Sequence, residues 1–255
     1  MPENNATVVL VHGAFAESAS WNGVIARLQE RSVQAVAAGN PLRSLAGDAR
    51  YVRDVIASIG GPVVLVAHSY GGMVATEAAA GNDGVVALVY VGAFAPDHDE
   101  SAFALSMQFP GSTLGDALIA YPVSTGGDEV AIRQDLFHQQ FAADVSPDVA
   151  ALMAATQRPA TLVALSDGLP TDVPAWKTIP SWFVFGEQDL NIPAALQRFM
   201  AERAAARATH EVAGASHALA VSSPDPVAAT IFEAFDATSG TPGRPTTAPA
   251  STTPV

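Results

Sequence analysis

Ser69 lies in the segment Val63-Val64-Leu65-Val66-Ala67-His68-Ser69-Tyr70-Gly71-Gly72, an apolar run followed by a turn and then small residues. A serine hydroxyl is a weak nucleophile until a neighbouring base takes its proton. A strand–turn–helix centred on the serine exposes the hydroxyl. It also needs small residues two before and two after, so that strand and helix can approach. Ala67 and Gly71 meet that need, with alanine where glycine is the commoner choice. The helix N-terminus behind Ser69 favours developing negative charge. Acyl transfer further requires backbone N–H groups aimed at the oxyanion. The residue after the serine, Tyr70, is one expected donor. The other is Ala14, in Val8-Val9-Leu10-Val11-His12-Gly13-Ala14-Phe15, where a second apolar run enters a loop and Gly13 lets the backbone come close. His12 is read as a structural brace of that loop.

A base and an acid are needed to complete this chemistry. Phe183-Val184-Phe185-Gly186-Glu187-Gln188-Asp189 places a carboxylate just past another apolar run, and Pro193 opens the next helix. Asp189 is the expected acid, with Glu187, Asp97 and Asp172 as rivals. Of six histidines, His210 and His217 follow Asp189 in the order Ser, Asp, His, and His217, in the small-residue loop Gly214-Ala215-Ser216-His217-Ala218, is the expected base. His210 is expected at a strand edge facing solvent. His98 sits among Asp97, Asp99 and Glu100 and reads as surface. His138 is a candidate pocket wall, with Phe15, Phe141 and Tyr121.

The elements that must position these residues alternate short β-branched runs with helical stretches, the pattern of an α/β fold with a mainly parallel six-stranded sheet flanked by helices. Strands are expected at Thr7 to Val11, Val33 to Ala37, Val63 to Ala67, Val85 to Val91, Ser181 to Gly186 and Ala208 to Val212. In the helix from Leu45 to Ile59, Asp48 and Asp54 are expected to face solvent. Each candidate then falls at a strand's C-terminal end, where open α/β sheets bind ligands. Residues 95–170 break the alternation and show no clear buried strand, so they are expected to form a helical cap on a core of 1–94 and 171–236. From 237 the chain is expected to be a disordered tail, and Arg244 is its only charge from Thr238 on.

Composition narrows the function. Apolar residues make up 49% of 255, ample for a buried core. The absence of cysteine excludes disulfides, thiolate metal sites and cysteine nucleophiles. With 25 acidic residues against 12 basic, the net charge of −13 argues against nucleic acid and anionic membrane as partners. No apolar run approaches the ~18 residues that span a bilayer. The N-terminus lacks the form of a secretory signal, so a cytoplasmic location is expected. Neither a metal nor an organic cofactor is called for.

Across residues 7–236 the chain resembles the α/β-hydrolase superfamily. Within it, His12-Gly13-Ala14 followed by Trp21, Ala67-His68-Ser69-Tyr70-Gly71-Gly72, and Ser216-His217-Ala218 resemble the branch of plant methyl-salicylate-type esterases and hydroxynitrile lyases, with their bacterial relatives. The resemblance implies an α/β-hydrolase fold without N-terminal antiparallel strands and with a cap inserted after the sixth strand. Lyases of this branch carry threonine or asparagine where this chain has Gly13. Their threonine type has lysine where it has Ala218. Both departures argue against cyanohydrin cleavage, and Ser69 rules out the aspartate nucleophile of dehalogenases. The expected function is hydrolysis of a small apolar or aromatic carboxylic ester through an acyl-enzyme, using Ser69, His217 and Asp189. Three alternatives stay open: a lyase cleaving C–C or C–N bonds, a perhydrolase of the same fold, and a non-catalytic ligand-binding member. A homodimer also stays open.

Overall fold

The computed structural model describes residues 6–124 and 126–238. Its nine strands are β1 Thr7–Val11, β2 Ala35–Ala38, β3 Val63–His68, β4 Val85–Val91, β5 Leu118–Pro122, β6 Asp128–Ile132, β7 Ala160–Thr161, β8 Ser181–Gly186 and β9 Ala208–Val212. Six form one sheet in the order β2-β1-β3-β4-β8-β9, with every neighbouring pair parallel.

β1, β3 and β8 are buried at every residue, because helices cover both faces of the sheet. The two-residue repeat of a strand divides their side chains. Val9, Val11 and Leu65 face the helices Leu45–Ile59 and Gly71–Ala79, while Val8, Leu10 and Val64 face Asn22–Glu30 and Pro224–Thr238. Each fully buried Val or Leu here stabilises the fold by roughly 1.5–3 kcal/mol. The edge strands β2 and β9 keep partly exposed positions instead.

Several boundaries differ from the sequence reading. The first helix opens with a 3₁₀ turn, Ser18–Trp21, and β2 begins at Ala35. The last helix runs to Thr238, so the first two residues of the expected tail are helical, and residues 239–255 lie outside the described residues. Between β4 and β8, where no clear buried strand and a helical cap were expected, the chain forms short helices and an antiparallel sheet β5-β6-β7. Every position of β5 is exposed or only half-buried, so its sequence carries no apolar alternation to announce a strand. Asp48 is a further correction. It is fully buried rather than solvent-facing, since Asp48, Val52 and Ile56 share one face of their helix. Its carboxylate accepts hydrogen bonds from the Tyr70 hydroxyl (3.0 Å) and the Arg43 N–H (3.0 Å).

Close backbone approach holds the turn after β3 in place. A Cβ on Gly72 would lie 2.0 Å from the Phe94 carbonyl oxygen, on the segment leaving β4. Gly72→Ala is therefore expected to lower stability by about 2 kcal/mol or more, measured by urea denaturation. A midpoint unchanged from wild type would show that the two segments can part freely.

Candidate active site

Ser69 follows β3 with φ of +55°, a conformation that few non-glycine residues adopt. Its carbonyl accepts the N–H groups of Gly72 (2.9 Å) and Phe94 (3.2 Å). Space around it is removed by neighbouring backbone. A Cβ on Gly13 would lie 2.5 Å from the Ser69 Cβ and 3.1 Å from its Oγ, and one on Gly71 would lie 2.6 Å from the Val11 carbonyl oxygen. Strand and loop therefore meet around the serine only because these residues lack side chains.

The loop after β1 turns at Phe15, whose φ is +61° and whose N–H donates to the Arg158 carbonyl (3.0 Å). Among the described residues, neither the Ala14 nor the Tyr70 backbone N–H has a hydrogen-bond acceptor. Both residues line the same cavity as Ser69. The Tyr70 ring is buried and fixed by Asp48. Burial, with the Asp48 carboxylate beside it, raises the phenol pKa, and burial raises that of the Asp48 carboxyl. The phenol accordingly stays a donor.

Asp189 follows β8 and is buried. Its Oδ1 accepts the N–H groups of Asn191 (2.8 Å) and Ile192 (2.9 Å), and its Oδ2 accepts from His217 Nδ1 at 2.7 Å. The carboxylate plane is thus set from both sides. His217 follows β9 and is also buried, and among the described residues its Nε2 has no hydrogen-bond partner. The two loops run together, with the Gln188 N–H donating to the Ala215 carbonyl (3.0 Å). Phe141 meets the His217 ring edge-on at 4.8 Å, and the Ser216 hydroxyl donates to Asp144. Gly92, after β4, closes the back of the site, where a Cβ would sit 3.6 Å from Asp189 Oδ2.

Ser69, Asp189 and His217 thus lie in loops at one end of the sheet. The rival acids lie elsewhere: Asp97 pairs with Lys177, Asp172 is exposed near His98, and Glu187 accepts the Gly214 N–H from an exposed position. His210 pairs with Glu233 at the surface. Of the four expected pocket residues, Phe15 lines the cavity. The other three are corrections. Phe141 is packed behind His217, His138 donates to the Val145 carbonyl (2.9 Å), and the Tyr121 hydroxyl donates to Glu129 on the outer sheet (2.8 Å). The cavity, about 280 Å³, is walled by Phe94, Phe103, Met107, Leu114, Leu118 and Ile192, with Asn191 and Asp116 among its polar residues. Sequence reasoning passed over Asn191, which belongs to no motif. Among the described residues, no group of three or more His, Asp or Glu could hold a metal ion, and no helix is long and apolar enough to cross a membrane.

Residues 8–230 match the alpha/beta hydrolase family. Alpha/beta hydrolase nvfD of Aspergillus novofumigatus (strain IBT 16806) is 28% identical over 218 residues, covering 77% of this chain and 83% of that protein. Polyneuridine aldehyde esterase superposes with a TM-score of 0.75 at 20% identity, covering 90% of this chain and 98% of its own. A pyrethroid hydrolase from Sphingobium faniae JZ-2 gives 0.70 at 22%, covering 91% and 98%. At these identities the two structures establish likeness of fold.

Two further histidines carry a pH prediction. His12 is fully buried and donates from Nδ1 to the Gly13 carbonyl (2.9 Å). Burial, with Arg158 nearby, lowers its pKa to about 4. His68 donates from Nε2 to the His217 carbonyl (3.0 Å), and burial, then the neighbouring His217, lowers its pKa well below the ordinary value. An unfolded histidine titrates near 6.5, so below that pH the unfolded chain binds protons that the fold refuses. Stability is therefore complete above about pH 6.5 and falls toward pH 4, by up to about 1.4 kcal/mol per pH unit per histidine. Urea denaturation from pH 7.5 to 4.5 should show this slope, and His12→Gln should lessen it. An equal slope in the variant would contradict a neutral His12.

Proposed function

The chain belongs to the alpha/beta hydrolase family, and on that premise we propose that it is a serine esterase working through an acyl-enzyme. One observation carries the reading. The buried Asp189–His217 pair leaves His217 Nε2 without a partner among the described residues, at the same end of the sheet as Ser69, which lines an apolar cavity.

In this reading Ser69 Oγ attacks the ester carbonyl carbon as His217 Nε2 takes its proton. The Ala14 and Tyr70 N–H groups, which have no acceptor among the described residues, receive the oxyanion. Each such donor is worth about 10²–10³ in rate. His217 then gives its proton to the departing alkoxide as the C–O bond breaks. Water attacks the acyl-enzyme with His217 again as base, releasing the acid and restoring Ser69. Asp189, held by two backbone N–H groups, keeps His217 in the tautomer with Nε2 open and stabilises the imidazolium. The cavity walls favour a small apolar or aromatic ester. Gly13 weighs against lyase chemistry of the threonine type, since a Cβ there would strike both Ser69 and the His68 carbonyl, at 2.5 and 2.8 Å.

The test is a panel of esters, amides and lactones on wild type, Ser69→Ala and Asp189→Asn. Esters should be the substrates. Ser69→Ala should abolish turnover, and Asp189→Asn should cost on the order of 10⁴ in kcat by analogy with serine proteases. Glu187→Gln and Asp97→Asn should each change kcat by less than about tenfold. A larger loss in Asp97→Asn than in Asp189→Asn would move the acid to the segment after β4.

A further inference from the structure

Asn191 lies two residues past the proposed acid, is only 2% exposed and lines the cavity shared with Ser69. Its side-chain amide is oriented by its neighbours. Gln140 Nε2 donates both to the Leu190 carbonyl (3.0 Å) and to Asn191 Oδ1 (2.8 Å). The Leu190 carbonyl can only accept, which fixes which end of Gln140 is the donor, and Gln140 Oε1 then accepts from the Thr113 hydroxyl (2.8 Å). Asn191 Oδ1 must therefore face Gln140. Its Nδ2 is left buried with no hydrogen-bond partner among the described residues. A buried amide donor without an acceptor is costly, and a site built around one discriminates sharply for ligands that supply the acceptor.

We infer that Asn191 Nδ2 is a substrate-recognition donor, and that the site takes esters bearing a second, uncharged oxygen acceptor (ether, ketone or hydroxyl) on the part that enters the cavity. The acceptor is uncharged because Asp116 is the one charged residue among the described residues lining the cavity, and it disfavours a carboxylate. The same Asn191 donates its backbone N–H to Asp189 Oδ1. Engagement of the second oxygen is thus reported to the acid loop through a single residue. The ligand's identity as an ester rests on the proposed function, while the donor site itself rests on Asn191.

The experiment compares 4-nitrophenyl hexanoate with its 3-, 4- and 5-oxa analogues, and hexyl acetate with its monooxa analogues in the alcohol chain. Each is run on wild type, Asn191→Leu and Asn191→Ala. The quantity read is kcat/KM of each oxa ester over its all-carbon partner. Differences in intrinsic ester reactivity cancel when the same ratio is compared between proteins. Binding of the hexyl acetates to Ser69→Ala, followed by calorimetry, gives the corresponding ratio of Kd without turnover. The expected result is a preference of at least about tenfold for one oxygen position in wild type, falling to within twofold in both Asn191 variants whatever their absolute rates. No position above threefold in wild type, or a preference that survives both substitutions, overturns the inference. Ester turnover without oxygen preference leaves the esterase reading standing alone. Preferential binding without turnover leaves the Asn191 site standing alone.

Discussion

Ser69 occupies the left-handed backbone region, where a residue with a Cβ is disfavoured by roughly 1–2 kcal/mol. The conformation persists because its surroundings allow no other. The Ser69 carbonyl is held by Gly72 and Phe94, and the absence of side chains at Gly13, Gly71 and Gly72 lets three backbone segments converge on one turn. The strain has a consequence for chemistry, since a relaxed serine would continue the strand and bury its hydroxyl in the sheet. It also fixes the next residue. Among the described residues the Tyr70 N–H is left without an acceptor while the Tyr70 ring is drawn down to Asp48, so the oxyanion donor proposed here is anchored from the far side of the core.

The segment between β4 and β8 is joined to the loops it covers. Asp144 and Phe141 contact Ser216 and His217, and Gln140 bonds Asn191. On the opposite side, Arg43 pairs with Glu129, and the Thr161 hydroxyl donates to the Arg43 carbonyl (2.7 Å). Cavity walls and the loops after β8 and β9 are therefore parts of one hydrogen-bonded unit. A change in the insertion has a direct path to the orientation of His217, through packing in one case and through Asn191 and Asp189 in the other.

The six-stranded sheet was legible because its central strands are covered on both faces and must be apolar throughout, a pattern that few other elements share. The serine turn was legible for a related reason: close approach demands small residues at fixed offsets, and Ala67 and Gly71 stand there. What escaped the sequence depends on partners distant along the chain. Asp48 looked like a solvent-facing charge, and the Tyr70 hydroxyl, distant along the chain, together with the Arg43 N–H makes its burial tolerable. Phe141 and His138 looked like pocket walls, because nothing local shows that one ring packs against His217 and the other bonds Val145. The outer sheet was missed since β5 buries almost none of its side chains.

The central claim is that Ser69 is a nucleophile activated by His217. Treatment with a fluorophosphonate, followed by intact-mass analysis and peptide mapping, tests it without knowledge of the natural substrate. A single adduct should form on Ser69, and His217→Ala should slow its formation by at least about a hundredfold, the usual contribution of a positioned base. An adduct on another serine, or equal labelling rates with and without His217, would contradict it.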